Sequence, residues 1–105
     1  MSEIRVVLVD DEPLLRHGLR MILEGAPGIS VIGEAGNGKE GVELILAEEP
    51  DVVLMDMRMP VMSGLEALQM LSRNGTLPPT IILTTFDDDS FLDGGLAAGR
   101  TGREI

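Results

Sequence analysis

The sequence predicts an α/β domain built on a parallel sheet. Three observations carry that prediction. Short apolar runs rich in β-branched residues alternate with amphipathic stretches along the chain, the pattern of strands joined by helical crossovers. The runs begin near residues 4, 29, 51 and 80, so each strand-plus-helix unit takes about 22 to 29 residues. The 105 residues hold 44% apolar and 25% charged side chains, enough for the core of a single small domain.

Ile4 to Val9 is apolar except for Arg5, as expected of a strand covered on both faces. Asp10, Asp11 and Glu12 follow it. Pro13 then suits the first turn of a helix, where its missing N–H would be unpaired anyway. Leu15, Leu19 and Ile22 recur at helical spacing until Gly25-Ala26-Pro27-Gly28 stops that helix. Ile29 to Ala35 reads as the second strand, and Gly36-Asn37-Gly38 as a turn whose Asn caps a helix running to about Glu49, ended by Pro50. Asp51 to Met55 reads as the third strand, delivering Asp56 at its end. A loop with Pro60 leads to Ser63, an N-cap for a third helix through Ser72. Thr80 to Thr85 is the expected fourth strand, and Asp87-Asp88-Asp89 the acidic start of a fourth helix. A fifth unit would begin near residue 102, leaving only Gly102 to Ile105, of which Arg103 and Glu104 do not suit a buried strand.

Eighteen acids against 8 bases give a formal charge of −10. Such a surface repels a phosphate backbone, so direct nucleic-acid binding by this chain is not expected. Two Phe and no Trp or Tyr offer no stacking platform for bases or sugars. The absence of cysteine removes disulfide frameworks and thiolate metal sites and points to the cytoplasm. No apolar run approaches the roughly 20 residues of a membrane span, and the start lacks the layout of a signal peptide. Neither a membrane partner nor export is expected.

In an open parallel sheet, ligands sit outside the carboxyl ends of the strands. Asp10 and Asp11 end the first strand, Asp56 the third, and Thr84 and Thr85 the fourth. If those strands are neighbours, all five converge. Clustered carboxylates must be protonated, paired or metal-bound, and a hard divalent ion with oxygen ligands is the natural solution. Mg²⁺ takes one or two carboxylates together with phosphate oxygens, so it suits an open rim. A carboxylate beside such an ion can attack phosphorus. Asp56 is the candidate nucleophile. Each acid alone reads as a solvated strand end; their convergence carries the functional reading.

Val-Val-Leu-Val-Asp-Asp-Glu-Pro, Asp-Val-Val-Leu-Met-Asp-Met-Arg-Met-Pro-Val-Met-Ser-Gly-Leu and Ile-Ile-Leu-Thr-Thr-Phe-Asp-Asp-Asp stand in order across nearly the whole chain. Together they resemble the receiver domain of bacterial two-component response regulators, of the NarL/FixJ group. The resemblance implies a flavodoxin-like fold with strand order 2-1-3-4(-5). It implies that Asp56 accepts a phosphoryl group from a sensor histidine kinase, and that Asp10 or Asp11, or both, hold Mg²⁺ together with Asp56 and the main-chain carbonyl of Arg58. Thr84 matches the switch hydroxyl that closes onto the phosphoryl group, with Phe86 a candidate in the same relay or a core aromatic. Pro60 and Gly64 match the loop that shapes the site. An output domain, commonly a transcription factor's DNA binder, follows the receiver in such regulators. The one domain here is residues 1–105, with no output domain.

One expected residue is missing. The family carries a lysine at the end of its fifth strand, about 22 residues past the switch hydroxyl, and counting from Thr84 puts it just past residue 105. Lys39, the only lysine, falls in the first turn of the second helix and reads as a solvated charge. The expectation is therefore a receiver whose last unit is incomplete or rearranged, with an uncovered face and an exposed fourth strand. Its edge would pair or swap with a second copy to form a homodimer. The alternative function is a non-phosphorylated interaction or dimerisation module. An aspartyl-nucleophile phosphatase is disfavoured, because the residue two past Asp56 is Arg58 rather than a general acid. His17 reads as a surface histidine. Met55, Met57, Met59 and Met62 read first as soft packing around Asp56 and second as a docking surface.

Overall fold

The computed structural model describes residues 3–83. Three helices alternate with four strands: β1 Ile4–Val9, α1 Pro13–Glu24, β2 Ile29–Ala35, α2 Gly38–Glu48, β3 Val52–Asp56, α3 Gly64–Arg73 and β4 Thr80–Leu83. The strands form one parallel sheet in the order β2-β1-β3-β4. This is the expected architecture and strand order. Thr84, Thr85, Phe86, the helix expected from Asp87 and the stub near residue 102 lie outside the described residues.

Alternation along β1 explains the two layers. Val7 and Val9 point into one core with Val53, Met55, Ala67 and Leu71, beneath α2 and α3. Val6 and Leu8 point the other way, with Val31, Leu54 and Leu83, toward Leu19 and Leu23 of α1. A sheet covered on both faces requires continuous apolar strands, and β1 and β3 supply them. The register of β1 on β2 slips between Val6 and Val7, an irregularity no sequence pattern announces.

The helix starts follow local chemistry. Pro13 occupies the first turn of α1, with Glu12 as its cap. Asn37 accepts the Glu40 N–H at 2.9 Å to cap α2. Ser63 and Glu66 form a reciprocal capping box on α3, with bonds of 3.1 and 3.0 Å. Pro50 does follow α2, but the turn itself is made by Glu49 in a left-handed conformation at φ 47°. In α1 the residues that reach the core are Leu19 and Leu23. Ile22 is 72% exposed and Leu15 48%, so the apolar row read from the sequence is rotated from the buried one. That rotation leaves α1 without a fully buried residue.

Candidate functional site

The order β2-β1-β3 puts the carboxyl ends of β1 and β3 side by side, with Val9 opposite Met55 in register. Each strand is followed by an acid at that edge. Asp10, Asp11 and Asp56 thereby offer carboxylate oxygens all within 4.8 Å of one another. Asp10 is buried, Asp56 half-buried and Asp11 exposed. Beside them opens a cleft of about 410 Å³ lined by Asp11, Met57, Arg58, Met59, Pro60 and Ser63.

Asp10 is held from several directions. Its N–H donates to the Ala35 carbonyl at 3.0 Å, and its Oδ1 accepts the Glu12 N–H at 2.8 Å. Its Oδ2 is buried with no hydrogen-bond partner. An unsatisfied buried carboxylate oxygen costs free energy unless a proton or cation serves it. Burial pushes the Asp10 carboxyl above its ordinary range, opposed by the Glu12 N–H; the Asp11 charge adds to the rise and Arg16 opposes it.

Asp56 is pushed up to about 6. Burial is the main cause, the Arg58 N–H at 3.1 Å works against it, and the charges of Asp10 and Asp11 add to it. Burial, with the charges of neighbouring acids adding to it, thus raises two of the three clustered carboxyls. Ligands about 2.1 Å from an octahedral Mg²⁺ sit roughly 3 to 4.2 Å apart. Oxygens from all three carboxylates gathered within 4.8 Å suit shared coordination of one such ion, and Asp10 keeps a buried oxygen that no hydrogen-bond donor serves, so these residues fit the ion. Asp10, Asp11 and Asp56 would hold it.

The loop after β3 is shaped by close backbone approach. A Cβ on Gly64 would lie 2.2 Å from the Asp56 carbonyl oxygen and 2.7 Å from Met57 Cα, so only glycine fits. The Gly64 N–H donates to the Met57 carbonyl at 3.1 Å, closing the loop that contains Pro60. Gly38, at the start of α2, is pressed against the same loop. Its N–H reaches the Met62 carbonyl at 2.9 Å, and a Cβ there would stand 2.3 Å from that oxygen. Sequence reasoning singled out Gly64 but not Gly38. Between them Val61 is 78% exposed at φ 71°, a left-handed conformation that is strained for a β-branched residue.

Met55 and Met57 are buried, and Met59 and Met62 pack partly against the core below α2 and α3, which is the packing role expected of them. Lys39 and His17 are exposed. Arg16 and Glu34 beside Asp10 escaped the sequence reading, and no motif would have flagged them. Thr84 and Phe86 lie outside the described residues. Among those residues no helix is long and apolar enough to cross a membrane.

Comparison with known proteins agrees with this architecture. Residues 6–102 match the family described as the response regulator receiver domain. The transcriptional regulatory protein LiaR of Bacillus subtilis is 46% identical over 96 residues, covering 91% of this chain and 46% of the relative. The nitrate/nitrite response regulator protein NarL of Escherichia coli is 35% identical over 97 residues, covering 92% and 45%. The signal receiver domain of NarL from Mycobacterium tuberculosis superposes with a TM-score of 0.88 at 32% identity, over 99% of this chain and 84% of that one. The chain thus spans somewhat under half the length of these curated relatives.

Proposed function

The chain belongs to the response regulator receiver domain family, and from that premise we propose that it is a phosphoacceptor switch whose acceptor is Asp56. Residues 1–105 are all receiver domain, with its last unit incomplete. The observation that carries the reading is the buried Oδ2 of Asp10, without a hydrogen-bond partner, in a residue that clusters with Asp11 and Asp56.

In the reaction, an Asp56 oxygen attacks the phosphorus of a phosphohistidine on a sensor kinase. A P–O bond forms as the P–N bond breaks, and the electron pair leaves with the imidazole. Asp10 and Asp11, with Asp56 and the Arg58 carbonyl, would hold Mg²⁺. That ion, when bound, offsets the negative charge of the carboxylates and of the transferring group. The charges of Asp10 and Asp11 add to the rise of the Asp56 pKa, and a cation held among the three would offset that part in favour of the ionised, nucleophilic form. The Arg58 N–H on Oδ1 fixes the carboxylate's rotamer. Gly64 and Pro60 leave room for the phosphoryl group by keeping the loop off it.

A phosphoryl group brings about −1.5 to −2 charge and strong acceptor oxygens, which draw the Thr84 hydroxyl inward, with Phe86 following. The switch then controls an output domain, in keeping with the transcriptional regulators among its relatives. The chain turns over no substrate beyond its phosphodonor. It works in the cytoplasm, where its kinase partner presents phosphohistidine. A homodimer paired along β4 is part of the same proposal, and a monomeric mass by light scattering at high concentration overturns that part.

Incubation with acetyl phosphate and Mg²⁺ tests the central step. The expected result is a mass gain of one phosphoryl group, lost in Asp56→Asn and lost with EDTA. No gain in the wild-type chain would instead favour a non-phosphorylated interaction module.

A further inference from the structure

Arg16 lies in the first turns of α1, and its main-chain N–H donates to the Glu12 carbonyl at 3.0 Å. Helical side chains lean back toward the N-terminus, and this one reaches the carboxyl end of β1. Its Nη1 donates to the Asp10 carbonyl oxygen at 2.5 Å, and its Nε donates to Glu34 Oε1 at 2.9 Å. Glu34 stands on β2, paired in register with Leu8. Its other oxygen, Oε2, is taken by Arg20 Nη1, and Arg20 also pairs with Glu24 at 3.3 Å.

The Arg16 and Glu34 side chains are only 22% and 24% exposed, so this contact is shielded in a way an ordinary surface pair is not. The Asp10 peptide is consequently gripped on both sides: its N–H by Ala35 of β2, its carbonyl by Arg16. With Oδ1 committed to the Glu12 N–H, the one oxygen left over is Oδ2.

We propose that Arg16 is a positioning residue for divalent-ion binding: braced by Glu34, its guanidinium fixes the Asp10 peptide so that Oδ2 faces the shared site with Asp11 and Asp56. The rigid planar guanidinium suits this task, because two of its donors serve the Asp10 carbonyl after β1 and the Glu34 carboxylate on β2 at once. A lysine would reach only one of them. The inference rests on the reading of the three acids as an ion site.

Free Mn²⁺ followed by electron paramagnetic resonance during titration of the full chain separates the two. If the wild type sequesters no Mn²⁺, the ion-site reading fails. If it does, R16Q is expected to bind about tenfold more weakly, the scale on which residues orienting a metal ligand act, while R20Q binds as the wild type does. R20Q breaks two ion pairs of the same cluster yet leaves Asp10 untouched, so a merely structural role for the cluster would give both variants the same affinity. R16K is expected to recover part of the loss. Equal affinities for wild type, R16Q and R16K overturn the inference. If R16Q is unfolded at the assay temperature, R16K against R20Q decides: a weaker R16K sustains the proposal and an unchanged one overturns it.

Discussion

The two ends of the sheet treat acidic residues in opposite ways. At the amino end, Asp51 precedes β3 and exchanges two bonds with Arg5 of β1: its Oδ2 accepts the Arg5 N–H and its N–H donates to the Arg5 carbonyl, both at 2.8 Å. The Arg5 guanidinium then satisfies the Glu49 carbonyl at 3.0 Å and approaches Glu48 at 3.6 Å. The Asp51 carboxylate there has a donor and Glu48 a cation within reach. At the carboxyl end, Asp10, Asp11 and Asp56 are crowded together, one oxygen is orphaned, and Asp56 is pushed up to about 6. The same strands thus end in hydrogen-bonded and ion-paired acids on one side and in crowded, partly buried carboxyls on the other.

Substitutions should break this contrast in a definite order. Gly64→Ala has the largest effect, because its Cβ meets backbone atoms that cannot step aside. A loss of about 3 kcal/mol is expected in chemical denaturation, together with loss of phosphorylation. Asp56→Asn acts in the other direction. The folded-state pKa of Asp56, about 6, lies above its ordinary 3.8, so the folded chain holds that proton more tightly than the unfolded one. Wild-type stability from this group is therefore present below pH about 4 and is lost as pH rises through 6. In EDTA at pH 7 the Asn variant should be more stable by about 1 to 2 kcal/mol, after allowance for solvent screening at a half-buried group, and the gain should vanish near pH 3.5. Thermal melts across that range check it. Mg²⁺ should raise the melting temperature of the wild type and move Asp56→Asn far less. Asp51→Ala at the quiet end is the smallest change, costing about 1 kcal/mol for one lost hydrogen bond. Its response to Mg²⁺ should equal that of the wild type, and an altered response would show that the two ends are coupled.

Much of the fold was legible because the buried strands leave no ambiguity: Val-Val-Leu-Val in β1 and Val-Val-Leu-Met in β3 admit no other reading. The caps at Asn37 and Ser63 were legible from side-chain chemistry, although Glu66, three residues after Ser63, also spelled out the capping box that was missed. The phase of α1 was not. Its apolar residues outnumber what the sheet can cover, so periodicity alone could not choose Leu23 over Ile22. At the site, the three acids were legible as strand-end residues, and their convergence followed once β1 and β3 were adjacent. Gly38 was read as part of a turn, because the demand on it comes from Met62, a contact across the sheet's rim. Arg16 and Glu34 were invisible for the same reason: an arginine on a helix and a glutamate on a strand acquire meaning only when the fold brings both beside Asp10.

The most direct test asks which carboxylate carries the phosphoryl group. Borohydride reduces an aspartyl phosphate to homoserine, marking the acceptor in a peptide map. After treatment with acetyl phosphate, homoserine is expected at position 56 alone and only when Mg²⁺ is present. Homoserine at position 10 or 11, or labelling at 56 that is indifferent to Mg²⁺, would contradict the assignment of one acceptor and two metal-holding partners.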